Sequence, residues 1–277
     1  MRLVHKYLII SGAFVAAFTN FIACGAQMYK ASLEDDHVKG PEAALSEDPS
    51  SPNFGLHAPK GWVKLPIGYR IDKSMSKVQL AALQGAMKTW ESATGKTLFS
   101  FTGTHTGTTG DTFPDLYSSL RDQINGQYFD EHWAKTGKSN LVLATTIWNN
   151  PNNNYQSIDA ADIRYNSELY FISDALTESP KDDREIVDMQ SLATHELGHL
   201  LGLAHVPDTY DSSSIMNPSI MIGEGLASRS ISTGDIKRIQ KIYGCQGSAC
   251  DVEATARAIL QSGLQYSVTS GQTTPSH

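Results

Sequence analysis

His195-Glu196-Leu197-Gly198-His199-Leu200-Leu201-Gly202-Leu203-Ala204-His205, read HELGHLLGLAH, is the stretch on which the rest of the chain turns. A helix advances about 100° per residue, so His195 and His199 stand one turn apart on one face. Two imidazoles so placed can share a metal ion, and Glu196 lies beside them within reach of a water at that ion. Gly202 lets the backbone leave the helix, because glycine takes positive φ without steric cost. That turn can bring His205 round as a third ligand. Three neutral nitrogens and one open position describe a catalytic zinc site rather than a closed structural one. A bare HExxH arises by chance in many helices as surface or core histidines, but the longer pattern adds Gly202 and His205 at fixed spacing, which accident rarely supplies. Downstream, Ser214-Ile215-Met216-Asn217-Pro218 puts Met216 where a methionine packs beneath metal ligands without binding the ion. Taken alone, Met216 would read as ordinary core.

Two further segments extend the pattern. Asp188-Met189-Gln190-Ser191-Leu192-Ala193 leads into the histidines, and ISTGDIKRIQKIYG at 231–244 looks like a closing helix usually written LSxDDIxxIQxLYG. With these, the chain from Gly61 to Gly244 resembles the matrixins, the matrix-metalloprotease branch of the metzincins. The resemblance implies an α+β, zincin-like catalytic domain: a twisted, mostly parallel five-stranded sheet with three helices and a horizontal substrate cleft. It implies a zinc endopeptidase with one catalytic Zn2+ held by His195, His199 and His205, Glu196 as general base, and Met216 in the Met-turn. A protein or peptide substrate and a monomeric state go with that reading. The chain departs from the family pattern at Ile220, where Pro-x-Tyr usually builds a pocket wall, and at Gly234, the first of the closing acidic pair, of which Asp235 remains.

Composition is consistent with a folded domain. Hydrophobic residues make up 40% and charged residues 18% of 277, enough for a packed core and too few charges for a disordered chain. A formal charge of −7 without any long basic run gives no basis for nucleic-acid binding.

Residues 1–24 read as an export signal, with Arg2, His5 and Lys6 ahead of an apolar run too short and interrupted for a membrane span. Its end, Phe21-Ile22-Ala23-Cys24-Gly25, resembles a bacterial lipobox, which implies a bacterial chain held to the membrane through a lipid on Cys24. Conventional cleavage after Ala26 is the alternative; either way the mature chain is exported, to the cell envelope or beyond it. Residues 25–58, rich in Ser, Pro and acidic groups, read as a tether. No PRCGxPD-like sequence precedes the domain, so latency through a zinc-blocking cysteine is not expected. Cys245 and Cys250 either close a short disulfide loop in an oxidising compartment or stay as free thiols.

The catalytic domain is expected over 59–244 and a C-terminal tail over 245–277, with a short helix near 251–260. A strand is expected over 62–71, a Ser76-capped helix to about Ala93, a strand over 97–102, an edge strand over 141–148 and another over 161–166. An edge strand exposes N–H and C=O groups that an extended peptide can pair with; a plain interior strand is the other reading of 141–148. His105 and His132 read as surface residues. Asp174, Asp182 and Asp183 invite calcium, but no EF-hand-like spacing supports it, and solvated acidic loops are expected. Two competing functions stay open: a non-catalytic zinc-binding or adhesion module, which Glu196 argues against, and a zinc hydrolase of non-peptide amide bonds.

Overall fold

The structure, a computed structural model, describes residues 29–32, 48–106, 115–149 and 156–269. Residues 1–24, read as an export signal ending at Cys24, and residues 270–277 lie outside it. In chain order come β1 (Tyr29–Ser32), β2 (Ile67–Asp72), α1 (Lys77–Thr94), β3 (Phe99–His105), β4 (Gly126–Asp130), β5 (Ala144–Asn149), β6 (Ala160–Asn166), β7 (Tyr170–Ser173) and β8 (Glu185–Asp188). Then follow α2 (Met189–Leu200), β9 (Ser219–Ile222), α3 (Thr233–Tyr243) and α4 (Val252–Thr269). Among the described residues three α-helices thus lie within 59–244, as expected, and the fourth, α4, lies beyond it, longer than the short helix expected near 251–260.

The main sheet has five strands in the order β3-β2-β4-β6-β5. All neighbours run parallel except β5, which pairs antiparallel with β6 from Ala144↔Tyr165 to Asn149↔Ala160 and forms one end of the sheet. The strand expected over 141–148 begins at Ala144 and is an edge strand among the described residues. β7 and β8 pair in parallel, and β1 lies antiparallel along β9.

Local sequence accounts for α1 well. Ser76 accepts from the Gln79 amide while the Gln79 side chain accepts from the Ser76 amide, a reciprocal capping box. Gly95, at φ 71°, ends the helix in the left-handed conformation that glycine adopts freely. Leu83, Met87 and Trp90 form its buried face. The strand expected from Trp62 begins later, at Ile67, and Trp62 makes an isolated bridge to Ile158 instead. β4 has no counterpart among the sequence expectations. All five of its residues are buried, so GQYFD lacks the alternation that reveals a half-exposed strand.

Residues 245–269 are more than a tail. Cys245 and Cys250 form a disulfide with Cα atoms 5.2 Å apart, and α4 then packs back against α1 and α3. No helix among the described residues is long and apolar enough to cross a membrane. His132 is exposed as expected, whereas His105 is half-buried against the Tyr128 ring, 4.3 Å between centroids, because β3 runs on to it.

A buried cation ties the sheet to the chain before β4. Arg164 and Asp130 are both 0% exposed; the guanidinium donates to Asp130 Oδ2 at 2.7 Å and to the carbonyls of Asp115 and Leu116 at 2.7 and 2.8 Å. Removing one partner of such a pair strands a charge in the interior. Arg164→Leu is expected to cost about 3–5 kcal/mol of unfolding free energy, read by urea denaturation.

Candidate metal centre

α2 carries the site and is buried along its whole length, Met189 to Leu200. Asp188 caps its start by accepting from the Ser191 amide at 2.9 Å. Arg229 grips the same carboxylate and reaches Asp174 at 2.7 Å. Asp174 is thereby a buried ion-pair member and not the solvated loop residue expected; Asp182, exposed and paired with Arg184, fits that expectation. At the other end, helix carbonyls that lack intrahelical donors find side chains. Trp62 Nε1 donates to Leu200 O at 2.6 Å, and the Tyr243 hydroxyl donates to Leu201 O at 2.8 Å.

Gly202, at φ 103°, turns the chain so that Leu203 and His205 fold back on the helix. The three histidines then converge. Nε2 of His195 and His199 are 2.9 Å apart, and each is 3.2 Å from Nε2 of His205. His195 Nδ1 sits 2.7 Å from Ile215 O and His199 Nδ1 2.9 Å from Leu203 O. A carbonyl can only accept, so in these two rings the proton resides on Nδ1 and Nε2 presents a lone pair. The short contact between them is therefore two lone pairs facing each other, not a hydrogen bond. A cation between them relieves that opposition. Tetrahedral zinc with Zn–N near 2.0–2.1 Å sets ligand nitrogens about 3.3–3.4 Å apart, close to the separations here. The donor set fits the metal, and among the described residues this trio is the one group of His, Cys, Asp and Glu able to hold an ion.

Electrostatics point the same way. Burial pushes His195 down to about 4 from 6.5, against the raising effect of the Ile215 carbonyl. Burial and then the neighbouring imidazoles hold His199 and His205 well below the ordinary value. All three are neutral, hence ligand-competent, across the physiological range.

Glu196, 2% exposed, follows His195 on α2, and Thr146 on β5 lies 2.6 Å from its Oε2 as hydroxyl donor. Met216 is fully buried against α2, seated where Gly198 lacks a side chain: a Cβ there would collide with Met216 Sδ. Asp235 fixes the turn that holds Met216. It accepts from Ser214 Oγ at 2.6 Å, Ile215 N at 2.9 Å and Arg238 at 2.6 Å. Gly234 leaves room for this arrangement, since a Cβ would stand 2.5 Å from Asp211 Oδ2. Ile220 is buried within β9.

The sequence-derived residues His195, Glu196, His199, His205 and Met216 thus come together, while Cys245 and Cys250 lie apart from them beyond α3. A family model for the matrixins matches residues 61–244. The chain belongs to the matrixin family. Over 82 residues it is 37% identical to Matrix metalloproteinase-21 of Cynops pyrrhogaster and 38% to that of Homo sapiens, 29% of this chain in each case. Metalloendoproteinase 2-MMP of Arabidopsis thaliana is 41% identical over 58 residues, 21% of this chain. These matches span only 12%, 13% and 14% of the relatives' own lengths. Among solved structures, High choriolytic enzyme 1, a hatching enzyme zinc-protease from Oryzias latipes, aligns at 15% identity and TM-score 0.33, covering 68% of this matrixin and 96% of that chain.

Several contributors went unread in the sequence. Thr146 sits in a run with uniform strand propensity, and Trp62 and Arg229 act on the helix from far along the chain. His57, from the stretch read as tether, packs against His199 with its ring pushed well below its ordinary pKa by burial and then by His199.

The depressed histidines set a pH dependence. Between pH 6.5 and about 4 the unfolded matrixin takes up protons that the native metal-free one refuses, so its stability falls as pH drops through that window. Thermal melts of chelator-treated protein should show Tm declining over that range, with zinc suppressing the decline near neutral pH. Separately, Gly198→Ala should cost about 1–3 kcal/mol through overpacking against Met216, measured by chemical denaturation.

Proposed function

We propose that this matrixin is a zinc-dependent endopeptidase, with His195, His199 and His205 holding the metal and Glu196 as the general base. The observation that carries the reading is the facing of imidazole lone pairs beside a buried carboxylate that Thr146 orients. A bound zinc would supply Lewis-acid polarisation of a carbonyl and acidification of a water. Glu196 accepts the proton of the attacking water and hands it to the departing amine nitrogen, shuttling between two oxygen positions on one carboxylate. Thr146 holds that carboxylate in place, so little reorganisation is left for the moment of reaction.

The substrate is a polypeptide bound in extended form. β5 ends the sheet, and its outer edge has no strand partner among the described residues. A peptide laid along that edge is held through its main chain, which leaves sequence selectivity to side-chain pockets. The carboxylate-orienting Thr146 belongs to the same strand, so the peptide edge and the base are one rigid unit. Exported placement, through a lipid on Cys24 or by release after Ala26, fits a peptidase acting on proteins outside the cytoplasm, and we read the chain as a bacterial monomer on the same sequence grounds.

The test is cleavage of an unfolded protein by the purified chain, with and without a zinc chelator. Glu196→Ala should retain stoichiometric zinc while turnover falls by about 10²–10⁴. His199→Ala should lose metal and activity together. Undiminished cleavage by Glu196→Ala would remove the assigned base.

A further inference from the structure

We propose that His57 is a positioning residue for the metal centre, one that holds His199 through its main-chain carbonyl. The residue lies outside the family-matched segment, which begins at residue 61. Its place at the site is built by main-chain pairing. His57 N and Ala58 N donate to Gly202 O at 3.0 and 3.1 Å, and Ala204 N donates to Gly55 O at 2.9 Å. Leu56 pairs antiparallel with Leu203. The four residues Gly55–Ala58 thus clasp the turn that delivers His205. The approach is close: a Cβ on Gly202 would stand 2.7 Å from Ala58 O.

From this clasp the His57 ring reaches both walls of the centre. Its Nε2 is 3.0 Å from His199 O, and since the carbonyl accepts, Nε2–H is the donor. Its plane lies within 17° of the His199 ring at 5.8 Å and within 20° of the Trp148 ring at 5.0 Å. Trp148 belongs to β5, the strand that carries Thr146. His199 is therefore fixed at three points: Nδ1 by Leu203 O, its carbonyl by His57, and its ring plane by the His57–Trp148 stack. Groups that orient a ligand without touching the metal set its affinity and the geometry of the open position. His57 occupies such a place for one of three ligands and couples it mechanically to the strand bearing the base's hydrogen-bond donor.

This inference rests on the zinc reading above but not on peptidase activity. The test measures zinc affinity by chelator competition, and the visible spectrum of the Co2+-substituted protein, for wild type and His57→Ala, His57→Phe and His57→Gln. Phe keeps the planar ring without the donor; Gln keeps a donor without the ring. Zinc affinity should fall by about tenfold to a hundredfold in His57→Ala, with partial recovery in Phe and Gln. The Co2+ bands should shift in His57→Ala and return toward wild type in Gln. If cleavage is measurable, kcat should drop together with zinc affinity in His57→Ala. Wild-type affinity and an unshifted Co2+ spectrum in all folded variants would overturn the proposal, and Phe and Gln decide it should the Ala variant not fold. Failure of wild type to bind zinc would overturn both readings, whereas zinc binding without cleavage would leave His57 assigned and remove only the peptidase.

Discussion

A helix placed wholly out of water cannot carry two histidines and a glutamate unless every polar atom on it is answered. Burying an unpaired polar group costs several times what a made hydrogen bond returns. α2 meets that constraint with partners drawn from β5, β8, α1, α3 and the loops around it. Ile215 and Leu203 supply carbonyls to the imidazoles, β5 supplies Thr146 to Glu196, and Trp90 Nε1 donates to Thr194 O at 2.9 Å from α1. Asp188 and Arg229 close the N-terminal end, Trp62 and Tyr243 the C-terminal end. The architecture around α2 is largely the set of positions from which those partners can reach it.

The same demand explains how the polar interior is organised elsewhere. Asp235 serves at once as the N3 residue of the α3 capping box and as the anchor of the loop at Ser214 and Ile215. One carboxylate thereby locks the closing helix to the loop whose Ile215 carbonyl sets the His195 tautomer. Substituting a charged residue for Gly234 would crowd Asp211 and Arg238, so the departure from the family's acidic pair belongs to a different use of that corner. Arg164 does comparable work at the far side of the sheet, drawing two loop carbonyls and a carboxylate onto one planar cation.

What the sequence discloses follows from the range of the interactions involved. The histidine trio, Glu196 and Met216 are legible because a helical turn and a glycine exit are local geometry, spelled out within eleven consecutive positions from His195 to His205 and a short loop beyond. The Ser76 cap is legible for the same reason, whereas the run at 141–148 reads locally as a strand without saying whether it is edge or interior. β4 is hidden because a strand buried on both faces carries no alternation. Asp174 is misjudged because its partner, Arg229, stands 55 positions away. His57 is misjudged most of all: a Ser- and Pro-rich stretch reads as solvated chain until its backbone is seen paired to Gly202. Periodicity reports which face a residue occupies; it is silent on distant polar partners.

The clasp at Gly55–Ala58 also bears on the order of events as the chain folds. His57 and His199 are 142 positions apart, so their contact waits on closure of a very large loop and on completion of the sheet between them. The HExxH pair forms with its helix, early and locally, yet the orientation of its second ring is completed only when the two ends of the domain meet. Competence for tight ion capture thereby becomes a late milestone of folding, and a partly folded chain offers two loosely held imidazoles where the native one offers a rigid trio.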